Sequence, residues 1–327
     1  MGKPLAPLLS RTAFAVAALC ATVSPAWAET PKVVASIQPL HSLVASVMKG
    51  VGEPGLIVSG PQSGHTYTLK PSDARALKAA QLVVLVDDNF ETFLAKPLKS
   101  RKDSLDVIAM ADLPGAVSLA TRKGGAWEED TDDDHGDDDH DHEHEHEHHG
   151  HSHGPIDGHV WLDPTNARLL VVAVADRLSE VDAAHADVYQ GNAKATIARL
   201  DALDAEIKAK LAPVTHKPFV VFHDAYQYFE KRYGLSAAGS VTVDPDRPPS
   251  ARRLAELRDR LRAAGAACVF REPQFPAPVV KTLADSAGAR QGVLDPLGAD
   301  IAAGPDQYFT LMGRMADNLV SCLGTPG

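Results

Sequence analysis

The chain has 327 residues, 44% hydrophobic and 23% charged, values near globular averages that exclude collagenous, wholly disordered and multi-span membrane classes. Its net charge of -11 is concentrated: thirteen of the 43 acidic side chains lie within 128–147. The remainder is near neutral and offers no broad basic face for nucleic acid.

In chain order, residues 1–28 read as a signal peptide. Lys3 and Arg11 precede an uncharged apolar stretch over 12–23, and Ala26-Trp27-Ala28 supplies a small-x-small cleavage site. That stretch is too short to span a bilayer, and no later segment reaches the roughly 18 apolar residues a spanning helix needs. The mature chain is expected to start at Glu29, to be exported, and not to stay in the membrane. A lipoprotein reading through Cys20 meets Leu19 where a small residue is expected.

Short apolar runs over 32–37, 82–86, 219–222 and 268–270 read as buried strands, and residues 71–80, 250–264 and 277–286 as helices. Such alternation argues for the α/β class, with mainly parallel sheets flanked by helices. From 126 to 154 the sequence is almost entirely Asp, Glu, His and Gly, with too few apolar side chains to offset the entropy of ordering a backbone. It is expected to be a disordered loop. Its nine histidines, His135, His140, His142, His144, His146, His148, His149, His151 and His153, alternate with acids. Deprotonated imidazoles there suit low-affinity metal collection, weaker than a preformed site; the alternative is an inert solvated spacer.

The longest helical pattern covers 184–211, where Val188, Ile197, Leu200, Leu203, Ile207 and Leu211 make one apolar stripe and Lys194, Arg199, Glu206 and Lys208 lie off it. At 1.5 Å per residue it would reach roughly 40 Å, long enough to link a lobe over 29–183 to one over 212–327. An ordinary long helix packed within one lobe is the alternative. Once Cys20 leaves with the signal, Cys268 and Cys322 form an even pair in an oxidising compartment and read as a disulfide; the alternatives are two buried thiols or a thiolate metal site, the latter disfavoured by the absence of CxxC spacing.

Three histidines outside the acidic segment share a setting. His65 lies in Ser63-Gly64-His65-Thr66-Tyr67, His159 in Asp157-Gly158-His159-Val160-Trp161, and His223 directly after an apolar run. Each is in a turn-rich loop or just beyond a strand, where open α/β sheets bind ligands. Three imidazoles suit Zn²⁺ better than the hard cations Mg²⁺ or Ca²⁺. On spacing alone, each histidine is also compatible with an ordinary surface or hydrogen-bonded role.

Gly64-His65-Thr66-Tyr67 with Pro71-Ser72-Asp73, Gly158-His159-Val160-Trp161-Leu162-Asp163-Pro164, Phe222-His223-Asp224-Ala225-Tyr226 and Leu294-Asp295-Pro296-Leu297-Gly298 together resemble the periplasmic zinc-binding proteins of ABC importers, of the ZnuA type. The resemblance implies two α/β lobes joined by one rigid helix, with the metal in the cleft. It implies His65 and His159 as ligands from the first lobe and His223 from the second. Asp295 follows as a fourth oxygen ligand or a partner of bound water, or else as a plain turn residue before Pro296. Manganese-binding relatives carry a carboxylate where His223 stands, so imidazole there favours zinc. Some zinc members have an acidic residue just before the first histidine; this chain has Gly64.

The implied function is non-enzymatic: capture of Zn²⁺ in the periplasm by a monomer and delivery to an inner-membrane ABC permease. Two alternatives stay open, a zinc storage or chaperone protein working through the histidine-rich loop, and a zinc hydrolase using Asp224 or Glu272 as base without an HExxH motif. His41 is expected to be structural, and His185 and His216 to face solvent. Asp224, Glu272 and Tyr226 are candidates for orienting the imidazoles, and Trp161 and Phe222 for packing beside the site.

Overall fold

The computed structural model describes residues 30–123, 155–242, 249–275 and 278–324, with positions 2 and 127 besides. The signal peptide and the histidine-rich segment expected from the sequence lie outside them. Two four-stranded sheets carry the architecture, each parallel throughout. The first has the order β2 (Gly55–Val58), β1 (Val33–Ile37), β3 (Leu82–Leu85), β4 (Asp106–Ala109). The second runs β6 (Ala237–Thr242), β5 (Phe219–His223), β7 (Cys268–Arg271), β8 (Arg290–Val293). The central strands β1, β3 and β5 are buried along their whole length, as expected of strands covered on both faces by helices.

Helices connect the strands. α1 (Gln38–Met48) follows β1 without a loop, Pro39 setting its first turn, and every one of its residues is buried. α2 (Pro71–Ala79) and α3 (Ala95–Lys99) complete the first half. α4 (Pro164–Val181) is capped by Asp163, whose carboxylate accepts from Thr165 N at 2.7 Å. α6 (Gln227–Tyr233), α7 (Ala251–Ala264) and α8 (Pro278–Ala287) belong with the second sheet.

The long helix is α5 (Ala186–Leu211), 26 residues and roughly 39 Å. It packs against α1, α4 and the last helix, α9 (Gln307–Leu323). Its buried face differs from the apolar stripe, of which Ile197 and Leu203 are only half-buried. Val188 is 41% exposed, and the buried positions are Tyr189, Ala193, Thr196, Leu200, Ile207 and Leu211. Small Ala193 and Thr196 let neighbouring helices come close, so that face is wider than its large apolar residues suggest.

α9 lies against β8 in the second half and also against α1 and α5. Cys322 in its last turn forms a disulfide with Cys268 at the start of β7, the Cα atoms 6.1 Å apart. The two halves are joined by several direct bonds: Gln38 Nε2 donates to Ile301 O, Ser46 Oγ to Pro305 O, and Tyr308 OH to Trp161 O. Among the described residues, no helix is long and apolar enough to cross a membrane.

Candidate metal centre

Each of the three histidines is delivered by a different piece of backbone. His65 stands in the loop after β2, and that loop is tied down when the Tyr67 hydroxyl donates to Asp73 Oδ2 at 2.8 Å. Lys70 N donates to the same oxygen, so Asp73 joins the loop to the first turn of α2. His159 precedes a 3-10 turn over Val160–Leu162 that leads into α4. His223 is the last residue of β5, and Glu272 follows β7. The histidine loop after β2, His223 and Glu272 thus all sit at carboxyl ends of parallel strands, from both sheets.

The ring nitrogens of His65, His159 and His223 lie within 4.8 Å of one another, the one such group of three or more metal-ligating side chains among the described residues. His159 and His223 are buried, and His65 is half-buried. Each buried ring is oriented by a carboxylate. His159 Nδ1 is 2.8 Å from Asp157 Oδ1, and His223 Nδ1 is 2.7 Å from Glu272 Oε1. With both Nδ1 atoms engaged, the Nε2 atoms face each other at 3.3 Å. Two nitrogens on a tetrahedral zinc at ~2.05 Å would be about 3.3 Å apart, so this pair already has the spacing of two zinc ligands.

Charge supports the same arrangement. Burial would raise the Asp157 pKa, but His159 and the Gln227 amide outweigh it and hold the carboxyl below its usual range. Burial would lower the His223 pKa, yet Glu272, with Asp224 and Asp157 behind it, holds it above the usual histidine value. Both carboxylates therefore favour positive charge at the centre, whether proton or metal. Helix α6 of the second half reaches across to Asp157: Gln227 Nε2 donates to its Oδ2 at 3.1 Å and the Tyr228 hydroxyl to its backbone oxygen at 2.8 Å.

The walls are aromatic. Phe90 lies 4.5 Å from His65 between ring centroids and 5.2 Å from Trp161, while Phe275 stacks on Phe222 at 4.9 Å. Trp161 is fully buried and donates to Pro296 O at 2.8 Å, in keeping with its packing role.

Other side chains named from the sequence have separate work. Asp295 is not brought into the histidine group. Its Oδ1 accepts from Gln274 Nε2, Leu297 N and Gly298 N, and its Oδ2 from Ala299 N, so it ties the turn after β8. Of the three candidates for orienting the imidazoles, Glu272 does so. Asp224 instead pairs with Arg122, which also binds Glu230. Tyr226 is buried beside Glu272, which helps to raise its pKa after burial itself. His41 is buried with Nε2 3.1 Å from Pro54 O, a structural role. His216 is exposed, but His185 is half-buried with Nδ1 2.7 Å from Asp182, so solvent exposure is a poor description of it. Asp157, Phe90 and Glu91 escaped sequence reasoning; the Asp-Gly-His spacing was the available signal for the first.

The ZnuA family model, described as the periplasmic component A of a zinc-uptake complex, matches residues 33–322. The high-affinity zinc uptake system protein ZnuA of Brucella abortus (strain 2308) is 49% identical over 308 residues, covering 90% of this chain and 92% of that one. Two solved structures share the fold. A crystal structure of a ZnuA deletion mutant with zinc bound superposes with a TM-score of 0.73 at 24% identity, covering 91% of this chain and all of the other. The periplasmic zinc-binding protein TroA of Treponema pallidum gives 0.74 at 21% identity, with the same coverage.

Proposed function

Because the chain belongs to the ZnuA family, the periplasmic component of a zinc-uptake complex, we propose that it captures one Zn²⁺ through His65, His159 and His223 and delivers it to an inner-membrane ABC permease. Family members are solute-binding transport components, not enzymes. The observation that carries the reading is the pair of buried imidazoles at zinc-ligand spacing, each backed by a carboxylate, with His65 beside them.

The signal sequence fits a periplasmic location. Imidazole nitrogen, and no carboxylate oxygen, in all three positions favours zinc over manganese. With Asp295 engaged by four donors, the further ligand in this reading is water. The hydrolase alternative loses support because its two candidate bases are committed, Glu272 to His223 Nδ1 and Asp224 to Arg122. The histidine-rich segment is assigned low-affinity collection of zinc from its surroundings.

A chelator-competition titration of the mature protein with zinc and manganese tests this. One tight zinc site and weaker manganese are expected. His65→Ala, His159→Ala and His223→Ala should each weaken zinc at least about tenfold, about 1.4 kcal/mol. Zinc should also raise the melting temperature, increasingly so with free zinc above the dissociation constant. Parental affinity in His223→Ala would remove that residue from the site, and identical melting of apo and zinc-loaded protein would contradict a site in the folded state.

A further inference from the structure

A glycine stands immediately before each of two site histidines, and both glycines face one ring. A Cβ built on Gly64 would be 2.8 Å from Phe90 Cε1 and 3.1 Å from its Cζ. One built on Gly158 would be 2.9 Å from Phe90 Cδ2 and 3.3 Å from its Cβ. Separations under 3.0 Å are essentially never seen for real Cβ atoms. Neither glycine is among those with positive φ, so space and not backbone freedom bars a side chain at both positions. One phenyl ring therefore fills the volume that residues 64 and 158 would otherwise use, and it meets the edges of His65 and His159 with centroids at 4.5 and 5.7 Å.

The backbone that carries the ring is held by buried and partly buried hydrogen bonds. Asn89 N and Phe90 N both donate to Asp87 Oδ1 at 2.7 Å. Behind them Val86 N and Asp87 N donate to the buried Glu91 carboxyl, and Ser36 Oγ is 2.5 Å from its Oε1. The loop after β3 supplies no group to the histidine cluster, yet it is anchored by a buried polar network to the ends of β1 and β3.

We infer that Phe90 is a positioning residue of the zinc centre: seated against Gly64 and Gly158, it fixes the approach of His65 and His159 together and closes position 64 to any side-chain donor. This deepens, and rests on, the three-histidine reading. It also gives a physical reason for Gly64, because an acidic side chain there would have to occupy the space of the ring.

The test is a double-variant cycle on the full mature chain, read by chelator competition for the first zinc equivalent and by the visible spectrum of the protein with one equivalent of Co²⁺, which reports ligand geometry. Phe90→Ala is expected to weaken zinc about tenfold and shift the Co²⁺ bands, and Phe90→Leu to shift them with a smaller loss. Gly64→Ala should cost a similar factor while Phe90 is present and nothing further once Phe90→Ala has made room. If Phe90→Ala lowers apo folding, Phe90→Leu carries the cycle. Parental affinity and spectrum in the Phe90 variants would overturn the inference, as would Gly64→Ala that is harmless alone or fully additive with Phe90→Ala. His223→Ala separates the two readings. If it binds zinc at parental strength, the three-histidine site fails; if it is weakened while the Phe90 variants are parental, only the role of Phe90 falls.

Discussion

A carboxylate that already accepts four hydrogen bonds has little left to offer a cation. Asp295 is in that position, with three backbone N–H groups and the Gln274 amide on its two oxygens. Asp295→Asn should therefore leave zinc affinity close to the parent and lower apo stability by about 1.5–3 kcal/mol, the worth of hydrogen bonds to a charged group. Titration and urea unfolding read the two separately, and a tenfold loss of zinc affinity would return Asp295 to the coordination sphere. Glu91 makes the contrasting case. Burial, reinforced by the charge of Asp87, outweighs the Ser36, Val86 and Asp87 hydrogen bonds and pushes its pKa up to about 8 from an ordinary 4.5. Between those values the folded chain holds a proton that the unfolded chain has released, so this group's contribution to stability falls as pH rises from 4.5 to 8. Glu91→Gln should flatten that slope and narrow the stability gap between pH 5 and pH 8, measured by unfolding at each pH; an unchanged slope would show that Glu91 does not titrate there. The three histidines that the structure brings together, His65, His159 and His223, were legible because each stands inside a recognisable motif. Phe90 and Glu91 were not, since the Phe90 ring meets His65 and His159 and the Glu91 carboxyl meets Ser36, all far away in sequence, and no local pattern records such packing.

Strands covered on both faces announce themselves as continuous apolar runs, which is why β1, β3, β5 and β7 were readable from the sequence. β8 was not. Its residues Arg290, Gln291, Gly292 and Val293 are exposed or half-buried at the sheet edge, and backbone pairing with β7 alone makes them a strand. Similarly, the α5 stripe placed Val188 inside because counting large apolar residues overlooks a helix face built on Ala193 and Thr196. The cysteine pair was readable from parity and compartment. Its bridge closes a sequence separation of 54 and ties β7 to α9. The chain-entropy argument values such a loop at about 4 kcal/mol, and removing native bridges typically costs 2–5 kcal/mol. Cys268→Ser with Cys322→Ser should lower the unfolding free energy by about 2–4 kcal/mol in urea, and a change under 1 kcal/mol would mean the unfolded chain is hardly constrained by the bridge.

Bonds between the halves are several and buried or partly buried, from Gln38, Ser46, Trp161, Gln227 and Tyr308, so zinc entry should proceed without large hinge motion and leave the radius of gyration of apo and zinc-loaded protein the same by X-ray scattering. The histidine-rich segment can be tested by removal because both ends are fastened: Thr121 N donates to Pro155 O and Asp157 N to Leu119 O. Deleting residues 128–153 should abolish weak zinc binding that fades as imidazoles protonate near pH 6.5, and leave one tight site. Loss of the tightest zinc on deletion would instead favour the storage reading. The placement of α9 has a consequence for the order of assembly. On the exported reading, α1 and α5 cross the membrane before α9, yet α9 covers part of both and carries Cys322 to its partner on β7. Until those turns arrive, the apolar faces of α1 and α5 are without their cover, so the chain is most in need of a chaperone during that interval, and packing and bridge are completed together on the oxidising side of the membrane.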